Sequence, residues 1–351
     1  MAKPGVIGLD IGTTHVRAAE VVVGKGNNGQ GTLVRFGQVP LPAGAVRDGE
    51  VAEQSTVTTA IRRLWAEAKF ASRDVNIGVG NQRVVVRELD LPWMPLPQLR
   101  ASLPFQVQEM LPMSTDEALL DFCPTGEGTG PAGRTIHGML VAATKDTVRA
   151  NVMAVESAGL RPQLVDLSPF AILRSVVRGD LLQRTVAVVD IGARVTQVVV
   201  ADQGTPRFVR ILPSGGQNAT DAVATALSVS GPEAEDIKRQ LGIGFAIQPE
   251  FAAATEALNA VVVPLVEAIR NTLVYYAGNN PGAGIDLVVL TGGGAHLPGL
   301  GQYLSSASRL PVTMGDPLTT LRMAKSLGNQ QLPEHPSMLT MSIGLAYGVA
   351  A

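Results

Sequence analysis

Cysteine and aromatic side chains are scarce in this chain. Of its 351 residues one is cysteine, Cys123, and 4% are aromatic. A single cysteine cannot form an internal disulfide, which excludes a fold held together by disulfides and fits a reducing compartment. No partner motif surrounds Cys123, so we expect a small buried side chain and not a nucleophile.

A large excess of charge of either sign is also absent. Lys and Arg together number 28 and Asp and Glu number 30, which gives a net charge of −2. No basic cluster stands out, so we expect no nucleic-acid partner. Hydrophobic residues make up 46% of the chain, too many for a disordered protein. The length exceeds one ordinary core, so two domains or two similar halves are expected.

Long uninterrupted apolar runs are missing as well. The longest candidate, residues 251–277, is broken by Glu256, Pro264 and Arg270 among others. It therefore falls short of the roughly 18 consecutive apolar residues of a membrane helix. Strand-like composition begins at about Val6, which leaves no room for a signal peptide. We expect no direct insertion into a membrane.

A turn rich in small and hydroxyl residues follows the first apolar run. Residues 6–17 read VIGLDIGTTHVR, which predicts strand, tight turn, strand. The turn's N–H groups and the hydroxyls of Thr13 and Thr14 can hold phosphate oxygens, and Gly12 lets the backbone approach an anion. Asp10 would repel phosphate directly, so we expect it to hold Mg²⁺ through water. Ordinary hairpin turns contain the same tripeptide, so the motif alone is weak.

The same design recurs 180 positions later. Residues 186–200 place Asp190 and Gly192 between two apolar runs, with Thr196 after the turn. A period this long predicts two related halves and not a solenoid of short repeats. Two such hairpins facing each other would grip a polyphosphate from both sides.

The segment between the two hairpins predicts a first lobe with an insertion. We expect residues 1–184 to form this lobe and residues 87–163 to form a small αβ module inserted into it. Within the module, the glycine-rich residues 126–133 are predicted to be a loop, as are residues 24–31 before it. Residues 168–177 are predicted to form a helix that leads to the second hairpin.

The second lobe is predicted to cover residues 185–351, with a nucleotide-capping part at about 216–283. Gly215 and Gly216 precede a helix. The following helix carries Glu235 and Lys238, which share one face because they lie three residues apart. These two side chains either bracket a ribose and adenine or form an ordinary exposed ion pair.

Three successive glycines, residues 292–294, follow a continuous apolar strand. They let the backbone approach a flat ligand, and we expect the next helix to point its positive end there. A plain turn between strand and helix would need only one glycine. Near the chain's end, Met338 is expected to be core filler and not a ligand contact.

The order of these pieces resembles the five motifs of the actin-like ATPase superfamily. Within its FtsA-like branch the chain is similar to the PilM family of type IV pilus assembly proteins. The matching segments are VAATK (141–145), AGL (158–160), VDLSPFA (165–171), EAEDIK (233–238) and LTGGGAHLPGL (290–300). The resemblance implies an α/β fold of the actin-like (ribonuclease H-like) type, with two lobes and an FtsA-type inserted αβ subdomain.

The resemblance also implies ATP and Mg²⁺ in the cleft between the lobes. It assigns the metal to Asp10 and Asp190. The residues that it assigns to the nucleotide are Gly12, Thr13, Thr14, Gly192, Thr196, Gly215, Gly216, Glu235, Lys238, Gly292, Gly293 and Gly294.

Two positions depart from the superfamily pattern. Ser168 stands where relatives often carry an acidic or amide side chain that reaches the metal-bound water. Arg194 and Val195 stand where hydroxyl residues are common. Both departures remove groups that could position an attacking water. We therefore expect nucleotide binding with slow or negligible hydrolysis, and assign no catalytic residue.

The function that the resemblance implies is that of a cytoplasmic adaptor in the type IV pilus inner-membrane platform. Such proteins bind the N-terminal cytoplasmic peptide of the membrane protein PilN, in a groove between the inserted module and the first lobe. Contacts with motor ATPases and self-association are also implied, with attachment to the inner face of the membrane through partners. The alternatives are an FtsA-like division protein, which normally ends in an amphipathic helix that residues 347–351 do not provide, and a small-molecule kinase, for which no general base is evident.

Overall fold

The computed structural model describes residues 5–24, 30–131, 133–245, 249–328 and 332–348. The chain starts with an antiparallel meander of three strands. These are β1 (Val6–Ile11), β2 (His15–Val23) and β3 (Gly31–Pro40). The predicted first hairpin is confirmed, with Asp10 directly opposite Arg17. Strands β2 and β3 also pair as a hairpin, but residues 25–29 of the predicted loop lie outside the described residues.

One amphipathic helix covers a face of this meander. Two short strands precede it, and a parallel strand follows. These elements are β4 (Val46–Arg47), β5 (Glu50–Val51), α1 (Gln54–Ala68) and β6 (Asp74–Val79). Helix α1 buries Val57, Ile61 and Leu64, which recur at helical spacing and pack in the first lobe's core. The helix ends at Lys69, whose left-handed φ of 56° turns the chain away.

The inserted module has a sheet of its own. Its elements are β7 (Val84–Pro92), α2 (Leu96–Gln106), β8 (Ala118–Gly130) and β9 (Gly133–Thr144), with strand order β7-β9-β8. The predicted loop at 126–133 is wrong for residues 126–130, which pair with β9. A Cβ on Gly128 would lie 2.2 Å from His137 Nε2, so this glycine serves close packing within the sheet. Cys123 is partly buried, and burial raises the pKa of its thiol.

Three further elements lead out of the module. They are α3 (Lys145–Ser157), β10 (Arg161–Leu167) and α4 (Ser168–Val176). Helix α3 packs on α1, where the Thr58 hydroxyl donates to the Ala154 carbonyl at 3.1 Å. Strand β10 pairs in parallel with β6. The separate sheet therefore spans residues 84–144, and the rest of the predicted module 87–163 packs within the first lobe.

The second lobe repeats the hairpin and adds a helical part. Its elements are β11 (Thr185–Ile191), β12 (Thr196–Asp202), β13 (Thr205–Leu212), α5 (Gly216–Leu227), α6 (Gly231–Leu241), α7 (Ala252–Asn279), β14 (Leu287–Thr291), α8 (Leu300–Ser308) and β15 (Val312–Met314). The strand order is β13-β12-β11-β14-β15. Helix α7 is long and apolar enough to cross a membrane by length and composition. In this fold Leu258, Val266 and Ile269 of α7 are fully buried in the second lobe's core.

The end of the chain returns to the first lobe. Strand β16 (Arg322–Met323) extends the first sheet beside β3, which gives the order β10-β6-β1-β2-β3-β16. Helix α9 (Thr340–Ala346) packs Ile343 against the same sheet. In exchange, α4 packs Ile172 against the strands of the second lobe. Each half therefore contributes one helix to the other's core.

Helices α4 and α9 meet without a side chain between their backbones. A Cβ on Gly344 would lie 1.9 Å from the Ala171 carbonyl oxygen and 2.4 Å from its carbonyl carbon. Only glycine allows this approach. The crossing point fixes how the two sheets face each other.

Replacing Gly344 with alanine should therefore destabilise the whole protein. We expect the free energy of unfolding to fall by about 3 kcal/mol or more, because backbone atoms cannot move aside as a flexible side chain can. The measurement is equilibrium denaturation. Gly278→Ala in α7 is the matched control, since its Cβ would meet no described atom within 4 Å. Equal stability of the two variants would contradict this account of the crossing.

Candidate nucleotide and metal site

The two repeated turns have the same backbone geometry. The Gly12 N–H donates to the His15 carbonyl at 3.0 Å, and the Gly192 N–H donates to the Val195 carbonyl at 3.0 Å. Each turn follows the strand that carries its aspartate, β1 or β11. The repeat seen in the sequence is thus a repeat of structure down to a single hydrogen bond.

Two carboxyl groups and one guanidinium group share the space between the turns. Burial raises the pKa of Asp10 to about 6, against a partial lowering by Arg17. Burial raises the pKa of Asp190 to about 7, with a further rise from the charge of Asp10 and a lowering from Arg17. Burial lowers the pKa of Arg17, while both carboxylates act to raise it. The three groups are therefore electrostatically coupled across the cleft.

This set of groups fits a magnesium ion that is shared with phosphate oxygens. Within the described ranges no three His, Cys, Asp or Glu side chains form a cluster able to hold a metal by themselves. Mg²⁺ is usually held by one or two carboxylates together with phosphate oxygens and several waters. A divalent cation would also offset the loss of hydration on burial, which is the main reason why the pKa values of Asp10 and Asp190 are raised.

The first turn places its hydroxyl residues beside a neutral histidine. Thr13 and Thr14 are half-buried. The Thr14 hydroxyl lies 3.1 Å from His15 Nδ1, and its carbonyl accepts from the Leu41 N–H at 2.8 Å. Burial and then the nearby Arg17 charge lower the pKa of His15 to about 4. Backbone hydrogen bonds at Gly12 and Thr14 thus define the shape of the turn, and Arg17 is the charged side chain near it.

Gly215 and Gly216, at the start of α5, lie against the second turn. The Gly216 N–H donates to the Gly192 carbonyl at 2.9 Å. A Cβ on Gly215 would lie 2.4 Å from the same oxygen. Thr196 is fully buried, and its hydroxyl donates to the Ser214 carbonyl at 2.7 Å. In this structure the Thr196 hydroxyl holds this loop, and its predicted contact with a nucleotide stays a prediction.

Glu235 and Lys238 form a network and not a free surface pair. The Lys238 ammonium group donates to Glu235 Oε2 at 2.6 Å, to the Thr220 hydroxyl at 2.9 Å and to the Gly216 carbonyl at 3.2 Å. Lys238 is 8% exposed. Burial acts to raise the pKa of Glu235, but the hydrogen bonds from Lys238 and Thr220 outweigh it and lower the pKa. Helices α5 and α6 are joined at this point.

A cavity of about 220 Å³ lies between helices α5 and α6 and the glycine segment at residues 292–294. Its wall includes Gly215, Gly216, Glu235, Lys238, Gly293, Gly294, His296, His335 and Met338. Gly216 and Gly294 approach closely, since a Cβ on Gly216 would lie 3.3 Å from Gly294 Cα. A larger hollow of about 360 Å³ lies beyond the end of α6, and none of the predicted site residues lines it.

The glycine segment at residues 292–294 differs from the prediction in one respect. Residues Gly293–His296 form a short 3₁₀ turn, and α8 begins only at Leu300. No helix N-terminus therefore starts at the glycines. Gly292 has a φ of 83°, and a Cβ there would lie 2.9 Å from Asp190 Oδ1. This glycine lets β14 end directly against the Asp190 carboxyl group.

Several residues at or beside the site were not predicted from the sequence. Arg17 could have been found, because a strand pairing that starts at the Gly12 turn places it opposite Asp10. His296 and His335 had no local signal, since they are distant in sequence and stack at 3.6 Å only in the fold. Met338 was expected to be core filler and instead lines the cavity.

Ser168 and Arg194, the two departures from the superfamily pattern, each have identified neighbours in the structure. Ser168 begins α4 and is 6% exposed, beside Gly78 and Gly80 of the first lobe. Arg194 in the second turn forms an ion pair with Asp221 of α5. Its guanidinium group is therefore directed to a helix of its own lobe.

The coupled carboxyl groups should make the ligand-free protein less stable as pH rises. Both folded-state pKa values lie above the ordinary value, so the folded chain holds protons more tightly than the unfolded chain, and stability is lost between about pH 4 and pH 7. Asp190→Asn should raise the melting temperature by a few degrees at about pH 8 and change it little at about pH 4 or below. Thermal unfolding without Mg²⁺ measures this, with exposed Asp236→Asn as the control. A uniform effect of Asp190→Asn at all pH values would contradict it.

A model of one protein family matches nearly the whole chain. A model of the family described as type IV pilus assembly protein PilM matches residues 8–348. The solved structure of a PilM-PilN type IV pilus biogenesis complex is similar with a TM-score of 0.80 and 26% identity, covering 97% of each chain. MreB5 of Spiroplasma citri bound to ADP shares the fold, with a TM-score of 0.56 and 11% identity over 98% of this chain and 95% of that one.

Curated relatives lie further away in sequence. The cell division protein FtsA of Bacillus subtilis (strain 168) is 23% identical over 337 residues, which cover 84% of this chain and 74% of that protein. FtsA of Streptococcus pneumoniae serotype 2 is 25% identical over 78% of this chain and 63% of that protein. The predicted two-lobed, actin-like α/β fold is confirmed. The chain belongs to the PilM family of type IV pilus assembly proteins.

Proposed function

We propose that this chain binds ATP with Mg²⁺ in the cleft and acts as a cytoplasmic adaptor of the pilus inner-membrane platform. The observation that carries the nucleotide half is the half-buried, electrostatically coupled set of Asp10, Asp190 and Arg17 between two matching turns. Two acids and one cation suit a metal-bound polyphosphate, since the metal neutralises the acids while Arg17 pairs with phosphate oxygens.

The remaining contacts of the nucleotide follow from the cavity beside this cluster. Glu235 is positioned to accept hydrogen bonds from ribose hydroxyls because Lys238 and Thr220 hold its carboxylate. Gly293 and Gly294 leave a flat wall for a base. Solved neighbours of the same fold carry ADP or AMPPNP, which supports a nucleotide here. The small Ser168 and the paired Arg194 favour binding with slow hydrolysis.

The partner half of the proposal is the N-terminal cytoplasmic peptide of a PilN-like membrane protein. Its support is the likeness to a chain of the PilM-PilN complex over 97% of both. We place the peptide where the module joins the first lobe. There Lys145 of α3 donates to the Asp116 carbonyl at 2.7 Å, and the apolar side chains of Leu119 and Met153 are 46% and 39% exposed. Attachment to the inner membrane face, contacts with motor ATPases and self-association would follow through such partners.

Removing Arg17 should weaken the binding of MgATP. Arg17→Ala deletes the half-buried cation and leaves two acids without their counter-charge, so we expect a loss of about 1.5–3 kcal/mol, or roughly 10- to 100-fold in affinity. Titration calorimetry with MgATP measures this. Arg63→Ala, which removes an exposed arginine of α1, is the matched control. If the Arg17 variant bound MgATP with wild-type affinity, the phosphates would not bind at Arg17 and the proposed site would be wrong.

A charge at the junction of module and lobe should block the peptide. Leu119→Arg should reduce the affinity for a synthetic N-terminal PilN-type peptide roughly tenfold or more, because it places a charge in an apolar contact. Fluorescence anisotropy with labelled peptide measures this, and a scrambled peptide controls for non-specific binding. Val274→Arg alters an equally exposed apolar residue of α7 and should leave binding unchanged. Weakening by both variants, or by neither, would contradict the proposed groove.

A further inference from the structure

The larger hollow beyond the end of α6 has the size of a ligand site. Its volume of about 360 Å³ falls within the range of small-molecule pockets in proteins, roughly 300–1,000 Å³. The side chains in its wall are those of Gln240, Leu241, Phe245, Thr255, Asn259 and Pro298. None of the described residues that line it is charged. The hollow therefore suits an uncharged ligand, because a charged one would lose water there without gaining a counter-charge.

The ring of Phe245 is fixed against backbone and still largely open. A Cβ on Gly242 would lie 2.8 Å from this ring, and a Cβ on Gly299 would lie 3.1 Å from it. The two loops are tied together, since the Ile243 N–H donates to the Pro298 carbonyl at 2.8 Å. Phe245 is nevertheless 60% exposed. An aromatic ring held in this way offers a stacking surface to a flat ligand.

Thr255 of α7 brings a buried hydroxyl to the same hollow. The residue is 8% exposed, and among the described residues none forms a hydrogen bond with its side chain. Thr272 of the same helix shows the usual alternative, because its hydroxyl donates to the Ala268 carbonyl one turn earlier at 2.7 Å. A buried hydroxyl without such a bond calls for a partner inside the hollow.

Two side-chain amides complete the polar part of the wall. Asn259 lies four residues after Thr255 in α7, so the two side chains share one face of the helix. Gln240 is exposed at the end of α6. Neither amide forms a hydrogen bond with another described residue. Each offers a donor beside an acceptor, the arrangement with which Asn and Gln recognise N6 and N7 of adenine.

We propose that this hollow binds the adenine base of an uncharged nucleoside. The base stacks on Phe245, its N6 and N7 bond to the Asn259 amide, a ring nitrogen accepts from the Thr255 hydroxyl, and Gln240 reaches the sugar. The site is separate from the proposed nucleotide cleft, because none of the residues assigned to the cleft lines it. Helix α7 passes both places, with Asn259 at the hollow and Val262 at the smaller cavity.

A tryptophan reporter tests the proposal at the hollow itself. Phe245→Trp places an indole there, and a base that stacks on it should quench its fluorescence in a saturable way when adenosine is titrated. Tyr275→Trp is the matched control, since Tyr275 is an aromatic residue of α7 with an almost equal exposure of 61%. Its fluorescence should show no saturable change. Inosine, which carries an oxygen in place of the N6 amino group, should bind roughly tenfold more weakly than adenosine.

Two variants in the reporter background separate recognition from a structural role. Thr255→Val should weaken adenosine binding about fivefold and leave the melting temperature of the ligand-free protein unchanged or higher, because the hydroxyl has no partner there. Thr272→Val, whose hydroxyl bonds within the helix, should leave adenosine binding unchanged. Asn259→Leu should remove the preference for adenosine over inosine.

Crystals of the wild-type protein soaked with 8-bromoadenosine locate the ligand independently of any variant. The anomalous signal of bromine should appear beside Phe245. Bromine in the cleft alone or nowhere, quenching that does not saturate, or equal affinity for inosine would overturn the proposal. None of these results bears on the binding of MgATP, because the two sites share no assigned residue.

Discussion

The close contact of two helix backbones at Gly344 and Ala171 determines the arrangement of everything else. Helix α4 leaves the first half and packs on the second sheet, while α9 leaves the second half and packs on the first. Because their backbones touch with no side chain between them, the two sheets are held in one relative position. The two Asp-Ile-Gly turns face each other as a consequence of this crossing. A duplicated hairpin becomes a two-sided site only through this exchange of helices.

The electrostatics of the site follow from the burial that this crossing produces. Burial raises the pKa of Asp10 to about 6 and that of Asp190 to about 7, and the charge of Asp10 adds to the rise at Asp190. Arg17 offsets this only in part. In the function proposed above, a metal ion would replace the protons on these carboxyl groups and the phosphates would pair with Arg17.

The two halves share the geometry of the turn and differ in the residues and elements around it. The first half places a cation opposite its aspartate, and the second places an amide there. The divergence extends to the rest of each half, since the first carries a separate three-stranded module and the second carries helices α5 to α7. In the proposed function, the first half would present the partner surface and the second would enclose the ribose and base.

Local patterns in the sequence were sufficient for the elements and for the turns. The apolar run, aspartate, glycine and hydroxyls predicted both hairpins, and the long period predicted two related halves, because strand and turn preferences act over a few neighbouring residues. A glycine led to a wrong loop prediction where it serves packing, as at Gly128, because the sequence does not distinguish a glycine in a loop from one that lies against a histidine ring. The use of the Thr196 hydroxyl and the stacking of His296 on His335 depend on groups far apart in the chain. Only the tertiary structure decided them, because burial and hydrogen-bond partners are set by which distant segments the helix crossing brings together.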